Sequence, residues 1–414
     1  MRMMTALALI IVSLPAAYAA DPLKNDSFIE QIGTRNDATI SQSNGNNGQA
    51  TFQAGKNNSV ITDQVSNLTA GKNLSGNVQV GSSNTASTSQ TNTPPNAAFT
   101  TATYTNNSFS AQFGVKNDVL VGQNGGQNNQ DTLQAGNKNE SGVVQTNNSV
   151  TPASASPVGA ANTSFTGQFG NNNLAGTSQT SADGTDDAGQ AEAGHGNAAA
   201  ALQIGNRNEA GTSQKSIGGY GQGTNNAAAT VQIGNGNIAF TDQGGHVAGA
   251  FGATPADQVA NFTNGSFVGQ VGNSNDAQVE QRNGANTQAT FQTGFENNAT
   301  IGQKTQVFGT GNGANNAVTA QFGVKNKATV GQTMAVPLAI GDNNSLITQV
   351  GGYNVVNAAQ SVGQQATAGN NNQVALQVGV GNSLTVAQST GANVTNTSFT
   401  AQFGSHNTAM VSQK

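Results

Sequence analysis

Asparagine, glutamine and glycine recur along this chain at fixed distances, and the amide side chains among them define the chemistry open to it. The pattern is Asn-x5-Gln-x-Gly-x2-Asn-x5-Gln, and it occurs fourteen times with every fixed position kept in every copy. A primary amide carries two N–H donors and a carbonyl acceptor, but it is neither an acid, a base nor a nucleophile at neutral pH. The chemistry expected of these residues is hydrogen bonding, and the sequence predicts a protein that is not an enzyme.

Stacked repeats explain why amides occupy the fixed positions. Equivalent residues of parallel, in-register strands lie about 4.8 Å apart, and at that distance two carboxylates repel by about 0.9 kcal/mol even in water. An amide can instead accept from one neighbour and donate to the next. We therefore expect amide ladders linked by glycine turns. In the first two repeats, one central repeat and the last repeat, the residues of these ladders and turns are Gln31, Gly33, Asn36, Gln42, Gln53, Gly55, Asn58, Gln64, Gln203, Gly205, Asn208, Gln214, Gln402, Gly404, Asn407 and Gln413.

The elements that position these amides follow from the spacing. Each unit contains two Asn-x5-Gln halves of strand length, and the short connection between them carries glycine at a constant place, as a turn of unusual backbone angle requires. The predicted fold is all-β: a parallel two-sheet β-solenoid of about fourteen strand-turn-strand repeats. The repeats fill residues 25–413, with cores at 25–42, 47–64, 73–90, 106–123, 128–145, 162–179, 197–214, 226–243, 264–281, 286–303, 315–332, 343–360, 371–388 and 396–413.

The linkers between units vary in length and form one corner of the predicted solenoid. The shortest are residues 43–46, 124–127 and 282–285, and the longest is 244–263. All prolines after residue 22 lie in linkers: Pro94, Pro95, Pro152, Pro157, Pro255 and Pro337. Because proline cannot donate to a strand ladder, its exclusion from the units favours continuous pairing inside them.

The alternation of side chains leaves the orientation of the first strand open. In the second strand, the positions that share the parity of Asn and Gln are small or apolar, as at Val119 and Val121, so the amides should face inward with them. In the first strand the bulky residues have the opposite parity, as at Phe165 and Phe169. Either the amides face inward and the phenylalanines form an external stripe, or the phenylalanines form the core. We favour the first interpretation because the two halves of each unit are so alike.

The N-terminus is typical of a secretory signal peptide, expected to comprise residues 1–19. Arg2 precedes an apolar stretch, Thr5–Leu14, and Ala17-Tyr18-Ala19 fits the cleavage rule. A short mature N-terminal segment, residues 20–24, then leads into the first repeat. The chain should therefore pass through a periplasm and act outside the cell, and no later apolar stretch is long enough for an integral membrane span.

Composition narrows the function classes. Charged residues make up 8% of the chain and the net charge is −5, so the sequence lacks the basic surface that a nucleic-acid-binding protein needs. The chain has no cysteine, and its three histidines, His195, His246 and His406, are far apart in sequence. No metal-ligand spacing or cofactor motif is recognisable, and none is expected.

The repeat resembles that of curlin, the subunit of curli, the extracellular functional amyloid of bacterial biofilms. The resemblance covers residues 25–413, although this chain carries many more repeats than the familiar subunit and a shorter segment before them. It implies export through a curli-type outer-membrane secretion channel, encounter with a nucleator, and assembly into cell-surface fibres for biofilm matrix and adhesion.

Two functions of different class remain. The first is a structural subunit that assembles head to tail with itself, which we favour because the first and last repeats keep the full motif and no polar capping segment flanks them. The second is a monomeric secreted β-solenoid acting as an adhesin or an ice-binding protein. Threonine recurs at one first-strand position in half of the repeats, as at Thr51 and Thr230, but that position belongs to the face we interpret as inward.

Overall fold

The computed structural model describes residues 24–67, 71–92, 105–148, 161–182, 184–185, 191–192, 196–217, 224–245, 262–283, 285–307, 313–336, 341–363, 369–391 and 394–414. These residues form two sheets of fourteen strands each. Each repeat gives one strand to the first sheet and the next strand to the second sheet. Such a pair is called a coil below, and the coils are numbered 1 to 14 along the chain.

The first sheet contains the leading strand of every coil, in sequence order. Its strands are Asn25–Thr34, Asn46–Lys56, Lys72–Ser82, Thr105–Val115, Asn128–Asn137, Asn162–Asn171, Asn197–Asn206, Thr224–Asn235, Phe262–Asn273, Asn286–Phe295, Asn315–Val324, Asn343–Gly352, Asn370–Val380 and Thr395–Ser405.

The second sheet contains the trailing strands in the same order. They are Asp37–Ser43, Ser59–Ser66, Thr85–Asn92, Asp118–Gly125, Glu140–Asn148, Leu174–Ala182, Glu209–Ile217, Ile238–Gly245, Asp276–Arg282, Asn298–Val307, Lys327–Val336, Val355–Val362, Ser383–Thr390 and Thr408–Gln413. A separate antiparallel pair, Gly184–Thr185 with Ala191–Glu192, lies in one linker.

Every strand of the two large sheets pairs in parallel with its equivalent in the next coil, and the register follows the repeat. Gln31 aligns with Gln53, and Gly33 with Gly55; Gln203 aligns with Gln232. The predicted fold class, a parallel two-sheet β-solenoid of about fourteen coils, is confirmed.

Burial decides the orientation of the first strand. The amides and the small residues that share their parity lie between the sheets: Gln53 and Gln203 are 0% exposed and Thr230 is 2% exposed. The bulky residues of opposite parity lie outside, where Phe165 and Phe322 remain 44% and 43% exposed. The favoured interpretation is therefore correct, and the interpretation in which phenylalanine forms the core is wrong.

The turn between the two strands of a coil, called the arc below, uses two left-handed residues. The arc glycine has φ between 103° and 132° in all fourteen coils, as the sequence predicted. A second positive φ, between 53° and 68°, occurs two residues later, at Arg35 in coil 1 and Arg207 in coil 7, for example. The sequence interpretation missed this second residue. Its signal is that none of the fourteen residues at that position is β-branched, a type that rarely adopts positive φ.

Several expectations fall outside the described residues. These are the signal peptide at 1–19, the adjoining segment except for Lys24, and the six linker prolines. The short linkers at 43–46 and 124–127 are described, and they also turn through positive φ, at Asn44, Gly45, Gly125 and Gln127.

Candidate functional site

Four amide ladders run between the two sheets through all fourteen coils. Two are glutamine ladders, in which each Nε2 donates to the Oε1 of the next coil at 2.6–3.0 Å, as Gln203 does to Gln232. Two are asparagine ladders, in which each Nδ2 donates to the Oδ1 of the preceding coil at 2.8–3.2 Å. No step of any ladder is missing.

The glutamine ladders also join the two sheets. Within the described part of the chain, every ladder glutamine except Gln31 donates its second N–H to a backbone carbonyl of the opposite sheet: Gln53 Nε2 lies 2.9 Å from Asp37 O, and Gln64 Nε2 lies 3.1 Å from Gly48 O. Because both N–H groups and the acceptor are used, a fully buried amide loses little by leaving water. The spacing of the sequence predicted the ladders but not this bond across the interior.

The asparagine that follows each arc ties the arc to its neighbours. Asn58 Nδ2 donates to Gly81 O of the next coil at 3.2 Å, and Asn58 Oδ1 accepts from the backbone N–H of Asn84 at 3.1 Å. The asparagine thus gives the arc carbonyl of the next coil a side-chain hydrogen bond.

The asparagine that begins each coil does the same at the linker corner. Asn162 Nδ2 donates to Thr146 O, and Asn197 Nδ2 donates to Thr180 O, both at 3.0 Å. In both cases the acceptor comes one residue after the second glutamine of the preceding coil. Among the described residues, the same bond forms in coils 2–8 and 10–14 but not in coil 9, where Asn264 follows the longest linker, 244–263. The start of the linker is therefore held in the same way over a wide range of linker lengths.

The arc glycines stack so closely that only glycine fits. A Cβ on Gly205 would overlap the carbonyl oxygen of Gly234 in coil 8, and equivalent overlaps exist in every coil from 1 to 13. In coil 14 the same Cβ on Gly404 would have its nearest neighbour at 3.7 Å, the Nδ2 of Asn407. Glycine is therefore required here for two reasons: the positive φ of the residue, and the close approach of the next coil.

The interior beside the ladders changes in character along the axis. Coils 10–14 enclose one apolar cluster, which includes Ile301, Ile347 and Leu384. Coils 2–6 place hydroxyl and amide groups at many of these positions, such as Ser75, Gln130 and Thr166. The threonine row considered for ice binding is part of this interior: Thr51, Thr132, Thr166, Thr230, Thr290 and Thr319 are at most 2% exposed, and Thr400 is partly buried. It offers no threonine array to solvent.

The predicted ladder residues occupy the positions expected of them, but their surroundings differ between the middle and the ends. Gln203, Asn208 and Gln214 are at most 1% exposed, whereas Gln31 and Asn407 are exposed. Within residues 24–414, as far as the structure describes them, no strand pairs with the outer edge of coil 1 or of coil 14.

Charged groups lie on the outer faces and loops of the described coils. Arg282 contacts Asp242 and lies 3.1 Å from Glu280, and Lys325 lies 3.2 Å from Glu296. Burial raises the pKa of Asp131, which sits on the outer face of the first sheet between the strands of Phe109 and Phe165. Exposed ion pairs of this kind contribute about 0–1 kcal/mol each, so the amide ladders remain the principal polar feature.

Other site types receive no support from the described residues. No group of three or more His, Asp or Glu side chains there could hold a metal ion. In the same portion of the chain we find no helix with the length and hydrophobicity needed to cross a membrane. Of the histidines, His195 and His246 lie outside the described residues, and His406 is an exposed arc residue.

The ladders present complementary groups at their two ends among the described residues: a glutamine acceptor, Gln31 Oε1, at coil 1 and a glutamine donor, Gln402 Nε2, at coil 14. Comparison with known proteins adds no further assignment: no family model matches the sequence, and no curated protein matches it.

Proposed function

We propose that this chain is a secreted structural protein that assembles end to end into an extracellular, curli-like amyloid fibre for biofilm matrix and surface adhesion. The single observation that carries the proposal is that the two end coils complement each other. A fibre subunit needs two different surfaces that fit head to tail, because such a contact does not close and therefore continues.

The ladder groups at the two ends match in polarity. In coil 14, Gln402 Nε2 donates one hydrogen to Ser383 O, and its ladder hydrogen has no acceptor among the described residues. In coil 1, Gln31 Oε1 accepts from none of the described residues. A second molecule whose coil 1 stacks on coil 14 would join these two groups, and the ladder would pass from one molecule to the next.

The asparagine ladders are complementary in the opposite sense. Asn396 Oδ1 of coil 14 is open among the described residues, and Asn25 Nδ2 of coil 1 is its counterpart. The strand edges match as well, because both sheets keep a full strand in each end coil. Unpaired edges of this length recruit other strands, which is the usual basis of fibre growth.

The resemblance of the repeat to curlin supports the same proposal. It further suggests export through a curli-type outer-membrane channel, a nucleator as partner, and a position at the cell surface. A monomeric adhesin is the second candidate, and the observation in its favour is the broad exposed face of the first sheet described below.

Gly404→Ala is the variant that tests end-to-end stacking most directly. Its Cβ would meet no atom closer than 3.7 Å within the molecule, and the φ of 103° costs a residue with a Cβ about 1–3 kcal/mol in coil 14. By the geometry of every other arc, however, that Cβ would overlap Gly33 O of a stacked second molecule. We expect the variant to add to wild-type fibre ends through its own coil 1 and then to block further addition there. Measured by seeded thioflavin fluorescence and electron microscopy, an equimolar amount should slow elongation at least severalfold.

Ser405→Ala in the same arc is the matched control, since it adds no atom at the contact and should leave elongation unchanged. Gly33→Ala should impair folding instead of elongation, because its Cβ would overlap Gly55 O within the same molecule. Wild-type elongation in the presence of folded Gly404→Ala protein would contradict the head-to-tail contact. A wild-type chain that stays monomeric after long incubation at tens of micromolar would favour the adhesin.

A further inference from the structure

The outer face of the first sheet over coils 6–14 is uncharged and largely apolar. Four residues of each strand point outward there, and none of them is Asp, Glu, Lys or Arg. The face is accessible to solvent, although the outward residues of coil 13 are only partly exposed. Its large apolar residues with more than a third of their surface accessible are Phe165, Phe169, Ile204, Ile233, Val271, Phe291, Val318, Phe322, Leu346, Val350, Phe399 and Phe403.

The opposite face of the same coils differs in chemistry. On the second sheet, outward positions carry Glu209, Asp242, Arg282 and Lys327 among threonine, serine and glycine, and the exposed large apolar residues are fewer: Leu174, Phe240 and Met410. Both faces belong to the same strand-turn-strand coils, so the repeat alone does not require one of them to be apolar. The asymmetry indicates that the first sheet faces a different environment from the second.

At two glycines of the apolar face, large neighbouring side chains occupy the space that a side chain would otherwise fill. A Cβ on Gly167 would stand 3.4 Å from the ring of Phe165 and 3.1 Å from Leu202. A Cβ on Gly269 would stand 3.0 Å from the ring of Phe267 and 3.5 Å from that of Phe291. Bulky groups thus fill the places left by glycine instead of protruding there, as packing against another sheet requires.

The size of the face suits a stable protein interface. Strands spaced about 4.8 Å apart, each showing about 26 Å of its length, give the nine coils on the order of 1,100 Å² of planar surface. A specific interface buries about 800 Å² per partner, and apolar patches on soluble monomers are normally below about 600 Å². The apolar face is therefore larger than the apolar patches that soluble monomers normally expose.

We propose that this face binds the same face of a second copy of the chain, so that two solenoids pack sheet against sheet. A second copy offers the same spacing between rows of side chains, which allows rows to interlock along the full length of the contact. It also brings no charge against the apolar surface. A lipid surface fits less well, since insertion favours protruding aromatic side chains, whereas the rings of Phe165 and Phe267 lie against Gly167 and Gly269.

Charge limits where the pairing can extend. Among the four outward positions of each first-sheet strand, those that carry charge are Asp26 and Glu30 in coil 1 and Asp131 in coil 5. Pairing over coils 6–14 leaves all three outside the contact. The surface is distinct from the strand edges at the two ends, so lateral pairing and lengthwise growth are separable.

Two pairs of lysine substitutions test the proposal. Val318→Lys with Leu346→Lys places two charges on adjacent strands of the apolar face. Thr329→Lys with Asn357→Lys places two charges on adjacent strands of the second sheet in the same coils, 11 and 12. The charge added and its spacing along the solenoid axis are matched, so only the face differs.

Mass per length from scanning transmission electron microscopy reports the number of solenoids side by side. We expect wild-type and second-sheet variant fibres to have twice the mass per length of first-sheet variant fibres, with lengthwise growth from seeds retained by all three. Wild-type fibres one solenoid wide, or fibres that stay paired in the first-sheet variant, would overturn the proposal. So would wild-type protein that floats with neutral phosphatidylcholine vesicles as single solenoids, which would assign the face to lipid.

A failure of the proposed function gives a different result. If none of the three proteins forms fibres, end-to-end growth is wrong, and the same proteins are compared as free molecules by sedimentation velocity. Dimers that only the first-sheet variant dissociates would support the pairing. Monomers in all three proteins at tens of micromolar would refute it.

Discussion

A Gln203→Glu substitution is expected to destabilise coils 6–8 at neutral pH by about 3–5 kcal/mol, the usual result of leaving a buried charge without compensation. Gln203 is 0% exposed and lies near the middle of its ladder. Its Oε1 accepts from Gln168 at 2.9 Å, and its Nε2 donates to Gln232 Oε1 and to Leu174 O at the same distance. An ionised glutamate keeps the first bond, but it turns an acceptor toward two other acceptors.

The pH dependence of this variant follows from the same contacts. Burial and the two facing acceptors disfavour the charged carboxylate, so the pKa of the introduced glutamate is raised in the folded state above its unfolded value of about 4.3. The folded state then binds the proton more tightly than the unfolded state does. The variant should be most stable below about pH 4, and it should lose stability as the pH rises from there through the raised folded pKa.

Hydrogen-exchange protection factors of coils 6–8, measured at pH 4 and pH 7, check this prediction. Ser178→Glu is the control, because Ser178 lies in coil 6 on the second sheet, points outward and is exposed. It should leave protection unchanged at both pH values. Equal protection of Gln203→Glu and wild-type protein at pH 7 would mean that the glutamine ladder does not contribute to stability.

Gly205→Ala should have an effect of similar size for a steric reason. Gly205 has φ of 120°, a conformation that costs a residue with a Cβ about 1–3 kcal/mol. The added methyl group would also overlap the carbonyl oxygen of Gly234, so coil 8 must move away and stretch the ladders on both sides. We expect a total cost on the order of 3 kcal/mol, about a hundredfold loss of exchange protection in coils 7 and 8.

Gly176→Ala provides the comparison within a neighbouring coil. Gly176 points outward from a strand of the second sheet, and no atom lies within 4 Å of the position of its missing Cβ. Alanine there should be neutral or slightly stabilising, since it reduces the freedom of the unfolded chain. Similar losses at Gly205 and Gly176 would show that the close stacking of arcs does not govern the choice of glycine.

Much of the architecture follows from the sequence because the repeat is strict. An amide at a constant place in every repeat can satisfy its hydrogen bonds only if the repeats stack in register, and proline is excluded wherever a ladder needs a donor. These constraints are local, so they could be read from spacing: two strands per coil, a glycine turn, parallel pairing and variable linkers at one corner. The same reasoning placed Gln203 and Gly205 in the stacked positions that they occupy.

Three features depend on how the two sheets pack together. The alternation of side chains alone did not show which face of the first strand points inward. The small residues of this strand share the parity of the amides, and its large residues have the opposite parity. Packing decides the matter: Gln53 Nε2 reaches Asp37 O across the interior only because small side chains hold the sheets close together, and an inward phenylalanine row would separate them. For the same reason, the cross-sheet carbonyl contacts and the second left-handed arc residue, such as Arg207, arise from the three-dimensional closure of the coil. The spacing of residues along the chain carries no information about the distance between the sheets.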